Sequence, residues 1–159
     1  MILKLAKVRP HQQETRRTCS AACLRAVLLH HGKDVPEALL SKAIGVADFG
    51  AELYQIVGAA RALGFTAKQV EFKSLSDAFR LLEQDIPLIC DVQSWTKKGS
   101  GHYVVLVNEH GGRVNIMDPN VSGNWRTMSA KDFDERWWDG DNVYRGRVLR
   151  RPAVIVRPR

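Results

Sequence analysis

The chain has 159 residues, 45% hydrophobic and 26% charged, with 12 Gly and 6 Pro. That is the size and make-up of one ordinary globular domain over residues 1–159, and it excludes whole-chain disorder, collagen and coiled coil. The net charge of +7 lies almost wholly at one end: residues 145–159 hold six arginines and no acid, while 1–144 hold the other 18 Lys and Arg against 17 Asp and Glu. No apolar run approaches the roughly 18 residues of a membrane span. Residues 1–7 lack the apolar centre of a secretory signal, so a cytoplasmic protein without a membrane span is expected. Cys19, Cys23 and Cys90 are an odd count, which points to free thiols rather than a disulfide framework.

In chain order, residues 1–18 are polar and basic, and 1–11 are taken as an extended lead-in. Thr18 stands where a helix N-cap would, and Cys19 opens an apolar-periodic run that Gly32 stops. Pro36 starts a second helix ending near Gly45, and residues 51–63 form a third with Gly64 as its stop. Residues 65–72 are predicted as a strand. A helix capped by Ser74 or Ser76 follows, running to about Gln84. Residues 86–92 read as a buried strand and 95–101 as a loop. Residues 102–107 and 113–118 read as a hairpin turned by His110-Gly111-Gly112. A short helix is expected over 129–138 and one or two strands over 143–156. Helices first and a largely antiparallel sheet second make an α+β fold.

The arginines of 145–159 accompany strand-like residues and suit a solvated edge strand, where charge discourages sheet-to-sheet pairing. They also offer a surface to an acidic partner. No recognised nucleic-acid motif goes with them, which counts against nucleic acid.

Four residues stand out by position. A thiol in the first turn of a helix meets unpaired N–H groups and the positive end of the dipole, so Cys19 is a candidate thiolate. His102 begins one strand of the hairpin and Asp118 ends the other. Antiparallel pairing then makes them neighbours, the geometry in which a carboxylate orients an imidazole. If the first helix packs its N-terminus there, Cys19, His102 and Asp118 form a triad. Gln13 can add an amide donor beside the Cys19 N–H. The plainer alternatives are a core cysteine, a surface histidine and a turn-forming aspartate. Cys23 and Cys90 sit in apolar periodic runs and read as core.

These residues resemble the papain-like cysteine peptidases that remove double-glycine leader peptides from bacteriocins and related peptides. Gln13 is followed six residues later by the segment 18–24, Thr-Cys-Ser-Ala-Ala-Cys-Leu. Gly101-His102-Tyr103-Val104-Val105 matches the family's Gly-His-Tyr-Val-Val, and Asp118-Pro119 its Asp-Pro. Leu63-Gly64 and Ile86-Pro87-Leu88-Ile89 match as well, so the resemblance covers residues 12 to about 140. It departs at Thr18 and Ser20, where the family has Asp and Gly, and Ser20 is expected to add a side chain beside the nucleophile. The resemblance implies a papain-like fold, with a helical N-terminal half packed on a C-terminal antiparallel sheet. It implies a cysteine peptidase acting on a peptide or protein, with Cys19 as nucleophile, His102 as base and acid, Asp118 orienting it and Gln13 holding the oxyanion. No metal or organic cofactor is needed.

Trp95, Trp125, Trp137 and Trp138 are candidates for the walls of a narrow cleft that admits glycine. Three other uses of the same residues stay open. One is a deamidase, amidase or transglutaminase with the same acyl-enzyme, and another a leader-peptide-binding module without catalysis. The third is a metal site from Cys19, Cys23 and His102, which lacks a fourth ligand.

Overall fold

The computed structural model describes residues 8–95, 99–121, 124–140 and 146–159. The first seven residues of the lead-in, residues 96–98 of the predicted loop and residues 143–145 of the predicted last strands lie outside the described residues. From Thr18 the chain enters α1 (Cys19–His30), whose face of Leu24, Val27 and Leu28 is fully buried. It leaves through Gly32 at φ +95°, a conformation that favours glycine. Pro36 precedes α2 (Glu37–Ile44), which closes on Gly45 in the left-handed region. A capping box of Glu52 and Gln55 starts α3 (Leu53–Ala62).

β1 (Thr66–Glu71) follows, then α4 (Leu75–Glu83), where the Ser74 hydroxyl accepts the Asp77 N–H at 3.3 Å. After β2 (Leu88–Gln93) come the hairpin strands β3 (Gly101–His110) and β4 (Arg113–Met117). β5 (Trp125–Ser129) leads into α5 (Ala130–Arg136), capped by the Ser129 hydroxyl on the Asp132 N–H at 3.1 Å. β6 (Trp138–Gly140), β7 (Val148–Arg150) and β8 (Pro152–Arg157) complete the chain.

Six strands form one antiparallel sheet in the order β1-β8-β2-β3-β4-β5, while β6 and β7 pair separately. Strand alternation divides the core between the two faces. Ile89, Val105, Met117 and Val154 meet Leu24, Leu28 and Ile56 of α1 and α3. Leu88, Val104, Ile116 and Ile155 meet Ala78 and Leu82 of α4 and Phe133 of α5. The α+β expectation holds, with the helical half packed on an antiparallel sheet.

Two expectations are corrected. The C-terminal strand is not at an edge: β8 lies between β1 and β2, and residues 152–156 are buried. The apolar run 153–156 outweighs the arginines around it, because burying Val154, Ile155 and Val156 between helices and sheet is worth several kcal/mol, about 1.5–3 each. The arginines are accommodated otherwise. Arg147 bonds Glu71 at 2.6 Å, and Arg151 takes Asp134 in a two-bond fork at 2.7 and 3.1 Å. β5 and β6 were not expected. The predicted helix 129–138 is shorter, because Trp137 turns out of it to pack in the core and Trp138 starts β6.

Candidate active site

The approach to Cys19 is held by short polar contacts. The Thr18 hydroxyl accepts the Thr15 N–H at 3.0 Å and donates to the Thr15 carbonyl at 3.1 Å, turning the lead-in toward α1. Glu37, buried at the start of α2, accepts the Glu14 N–H at 2.7 Å and hydrogen-bonds the Thr18 side chain. Burial pushes the Glu37 carboxyl up, and these bonds work against that rise. Thr18 makes no side-chain bond to the helix it precedes. The first-turn N–H groups therefore stay open to an anion. Of the three cysteines, Cys19 alone is partly exposed; burial pushes the thiols of Cys23 and Cys90 far up.

β3 and β4 bring the second and third residues together. Their register pairs Val105 with Met117 and Leu106 with Ile116. Continuing one step sets Asp118 across from Val104, two residues from His102 and on the same face. His102 Nε2 lies 2.7 Å from Asp118 Oδ1, and the ring also hydrogen-bonds Cys19. With Nε2 on the carboxylate, Nδ1 is the nitrogen left for the thiol. Cys19, His102 and Asp118 thus form one continuous hydrogen-bonded line. Burial would pull the imidazole down, but the bonds to Asp118 and Cys19 and their negative charges outweigh it and hold it up at about 9. Burial would raise the Asp118 carboxyl, and His102 and Arg126 reverse that and hold it below the usual range.

Asp118 has further partners. Arg126 Nε donates to Oδ2 at 2.8 Å, and the Asn120 N–H donates to Oδ1 at 2.9 Å. Asn124, at φ 59°, donates its side-chain amide to the Asp118 carbonyl at 3.2 Å and to Gln12 at 2.8 Å. The lead-in docks on the same turn, since the Gln13 N–H donates to the Pro119 carbonyl at 2.9 Å. Gln13 consequently lines the cleft that holds Cys19 and His102. Its Nε2 donates to the Thr15 carbonyl at 2.7 Å. One of its two N–H groups is thereby occupied and the second is left for a ligand.

The cleft has two arms that meet at Cys19. Arg16, Arg17 and Asp48 line the first, and Arg17 and Asp48 form an ion pair. Glu52, Asp91, Tyr103 and Asp139 line the second. Burial and the neighbouring Asp139 push the Asp91 carboxyl far up. Phe49, Gly50, Ser100 and Gly101 border both arms. None of the four tryptophans lines either arm. Trp137 is a core residue whose Nε1 bonds the Pro152 carbonyl at 3.0 Å, because a large ring with one polar atom gains more from burial than from a cleft wall. Ser20 also departs from expectation: it is fully buried and lines neither arm, since the helix turns it away from its neighbour. Among the described residues no group of three or more His, Cys, Asp and Glu is arranged to hold a metal, and Cys23 is enclosed in the core.

Arg126, Glu37 and the Asp91–Asp139 pair were not anticipated. A signal for the first existed: residues 125–129, Trp-Arg-Thr-Met-Ser, have the aromatic and β-branched make-up of a strand. Glu37 and Asp91 carried none, because their partners are distant in sequence.

The sequence profile of the Peptidase C39 family matches residues 7–140. The chain belongs to the peptidase C39 family. It is accordingly a cysteine peptidase with a papain-like fold. It is 27% identical over 125 residues to the lactococcin-G-processing and transport ATP-binding protein LagD of Lactococcus lactis subsp. lactis. That match takes in 79% of this chain and 17% of the relative, so the chain spans about a sixth of that protein's length. Among solved structures it resembles the peptidase domain of Streptococcus ComA, a bifunctional ABC transporter of a quorum-sensing pathway. The TM-score is 0.78 at 24% identity, covering 96% of this chain and 99% of that one. A double-glycine-motif protease from an AMS/PCAT transporter, solved with its leader peptide, gives a TM-score of 0.72 at 23% identity, covering 97% and 94%. A C39-like peptidase from Bacillus anthracis gives 0.77 at 16% identity, covering 98% and 96%. Among the described residues no helix is long and apolar enough to cross a membrane.

Proposed function

We propose that the C39 peptidase described here cuts a peptide chain after a double-glycine motif, with Cys19 as nucleophile. The observation that carries this reading is the continuous hydrogen-bonded line from Cys19 through His102 to Asp118. His102 Nδ1 draws the proton from Cys19 and leaves a thiolate–imidazolium pair. The thiolate attacks the carbonyl carbon of the scissile bond. The resulting oxyanion accepts from the Cys19 N–H and from the free N–H of Gln13 Nε2. His102 returns the proton to the departing amine, the C–N bond breaks and a thioester remains. Water, deprotonated by the same imidazole, releases the acid. Asp118 keeps the ring oriented throughout.

The double-glycine preference is supported by the similarity to the leader-bound protease. It is supported also by the glycines at 50 and 101 that border both arms of the cleft at Cys19. The test is incubation with a synthetic leader ending in Gly-Gly joined to a short cargo, read by mass. The expected result is a single cut after the second glycine by the native chain and none by Cys19→Ala, with both proteins equally folded. An intact peptide after incubation with the native chain counts against the specificity. Cleavage that survives Cys19→Ala counts against the nucleophile.

A further inference from the structure

Asp118 is bound from the side opposite His102 by a residue that takes no part in the chemistry above. Arg126 sits on β5, one strand beyond the hairpin, and its Nε donates to Asp118 Oδ2 at 2.8 Å. The two carboxylate oxygens are thus divided, Oδ1 to His102 and the Asn120 N–H, Oδ2 to Arg126. A carboxylate held on one oxygen alone can rotate about its Cβ–Cγ bond. Held on both, its plane is fixed, and so is the line on which it meets the imidazole.

Arg126 is itself held. Its guanidinium lies over the Trp95 ring, 4.5 Å from the centroid, and the Arg136 guanidinium from α5 lies over the same ring at 5.3 Å. Arg136 Nη1 also donates to the Ser94 carbonyl at 3.2 Å, which fixes the stretch carrying the ring. Trp95 therefore has a use other than a cleft wall. A guanidinium stacked on an indole loses little further freedom when it forms a directed bond.

We propose that Arg126, stacked on Trp95, is the positioning residue of this site: it orients the Asp118 carboxylate toward His102 and shares that carboxylate's charge with the imidazole. The proposal rests on the Cys19–His102–Asp118 reading above. Arg126 touches neither the thiol nor the cleft, so it acts through Asp118. Among the described residues, the charged and titratable groups facing His102 and Asp118 include Cys19 and Cys23 from α1, Arg126 from β5 and, across the Trp95 ring, Arg136 from α5. Asp91 lines the second arm of the cleft with Cys19, and burial and Asp139 push its carboxyl up.

The sign of the effect follows from charge. With Arg126 present, part of the carboxylate's field is cancelled at the imidazole. Without it, the protonated ring is favoured further. Asp118 stays near His102, since the Asn120 N–H and its own burial remain.

The test follows the His102 ring by NMR titration and the rate of Cys19 alkylation by iodoacetamide, in the full chain. Neither readout needs a peptide substrate. In Arg126→Met the His102 midpoint should move up by about half a unit or more. Cys19 alkylation near neutral pH should fall severalfold as the ring loses its fixed orientation. Arg126→Lys keeps the charge without the planar guanidinium stacked on Trp95, so the midpoint should stay close to the native value while alkylation remains slow. A merely structural arginine would lower the melting temperature and leave the His102 midpoint where it was. That result, or a midpoint that moves down in Arg126→Met, overturns the proposal. The underlying triad fails in a different way: the native chain would then show Cys19 alkylation insensitive to His102→Ala, whatever Arg126 does.

Discussion

On the proposed mechanism the chemistry at Cys19 depends on two neighbours of opposite character, an open helix N-terminus and an imidazole held toward its protonated form. The His102 ring is held up at about 9 against the pull of burial, by Asp118 and by Cys19 itself. On the proposed mechanism its protonated form donates to the leaving amine, so peptide hydrolysis should fall as pH rises through about 9. A rate profile on a cleaved peptide checks this, and Asp118→Asn should draw the alkaline limb down toward the ordinary histidine range. Asp118→Asn should also slow turnover by about 10²-fold or more, in the range lost when general acid–base assistance goes. These residue types and their order along the chain were legible in the sequence. The neighbour relation of His102 and Asp118 was legible too, because a hairpin forces it. Their link to Cys19 was only conditional, since a helix N-terminus carries no address for the sheet edge it will meet. The orientation of the Gln13 amide and the burial of Ser20 were equally out of reach, being set by Thr15 and by the helix turn.

Single elements matter most where the chain has no room. Gly101 opens β3, and a Cβ there would lie 2.4 Å from Asp139 Oδ2 and 3.3 Å from Asp91 Oδ1. Gly101→Ala should therefore displace the Asp139 side chain, at the lower end of the roughly 1–3 kcal/mol typical of overpacking because a side-chain end can give way. Urea unfolding measures that cost. Peptide turnover should drop as well, because the displaced carboxyl lines the arm of the cleft at Cys19. Element identity was read well wherever a stop or cap was chemical: Gly32, Gly45, Ser74, and the Gly111-Gly112 turn. It failed at β5 and β6. Both strands are short, and what makes them strands is pairing with β4 and β7 rather than periodicity of their own. Arg126 was missed with β5, because the strand-like make-up of residues 125–129 does not say which carboxylate the arginine will meet.

Across the whole molecule the site also contributes to stability, with a sign that depends on pH. His102 is raised on folding, so its contribution is fully present below the unfolded value near 6.5 and is lost as pH rises to about 9. Asp118 is lowered on folding, so its contribution is present above the ordinary carboxylate range and is lost in acid. Denaturant midpoints should hence be highest in between and decline from about pH 6.5 upward. In Cys19→Ala that alkaline decline should be shallower, because one of the two groups that raise the imidazole is gone. An identical slope in both proteins would argue against coupling between thiol and ring.

The sequence by itself determined the fold class, the family pattern and the candidate residues for the site, because helix stops, strand alternation and hairpin turns are local and repeat their signal every few residues. Only the tertiary structure decided that β8 runs through the middle of the sheet, that the tryptophans leave the cleft, and that Arg126 braces Asp118. Each of these depends on contacts between segments far apart in the chain. There the outcome is set by which surfaces exclude water together and which charges find partners, and neither is written in any local pattern.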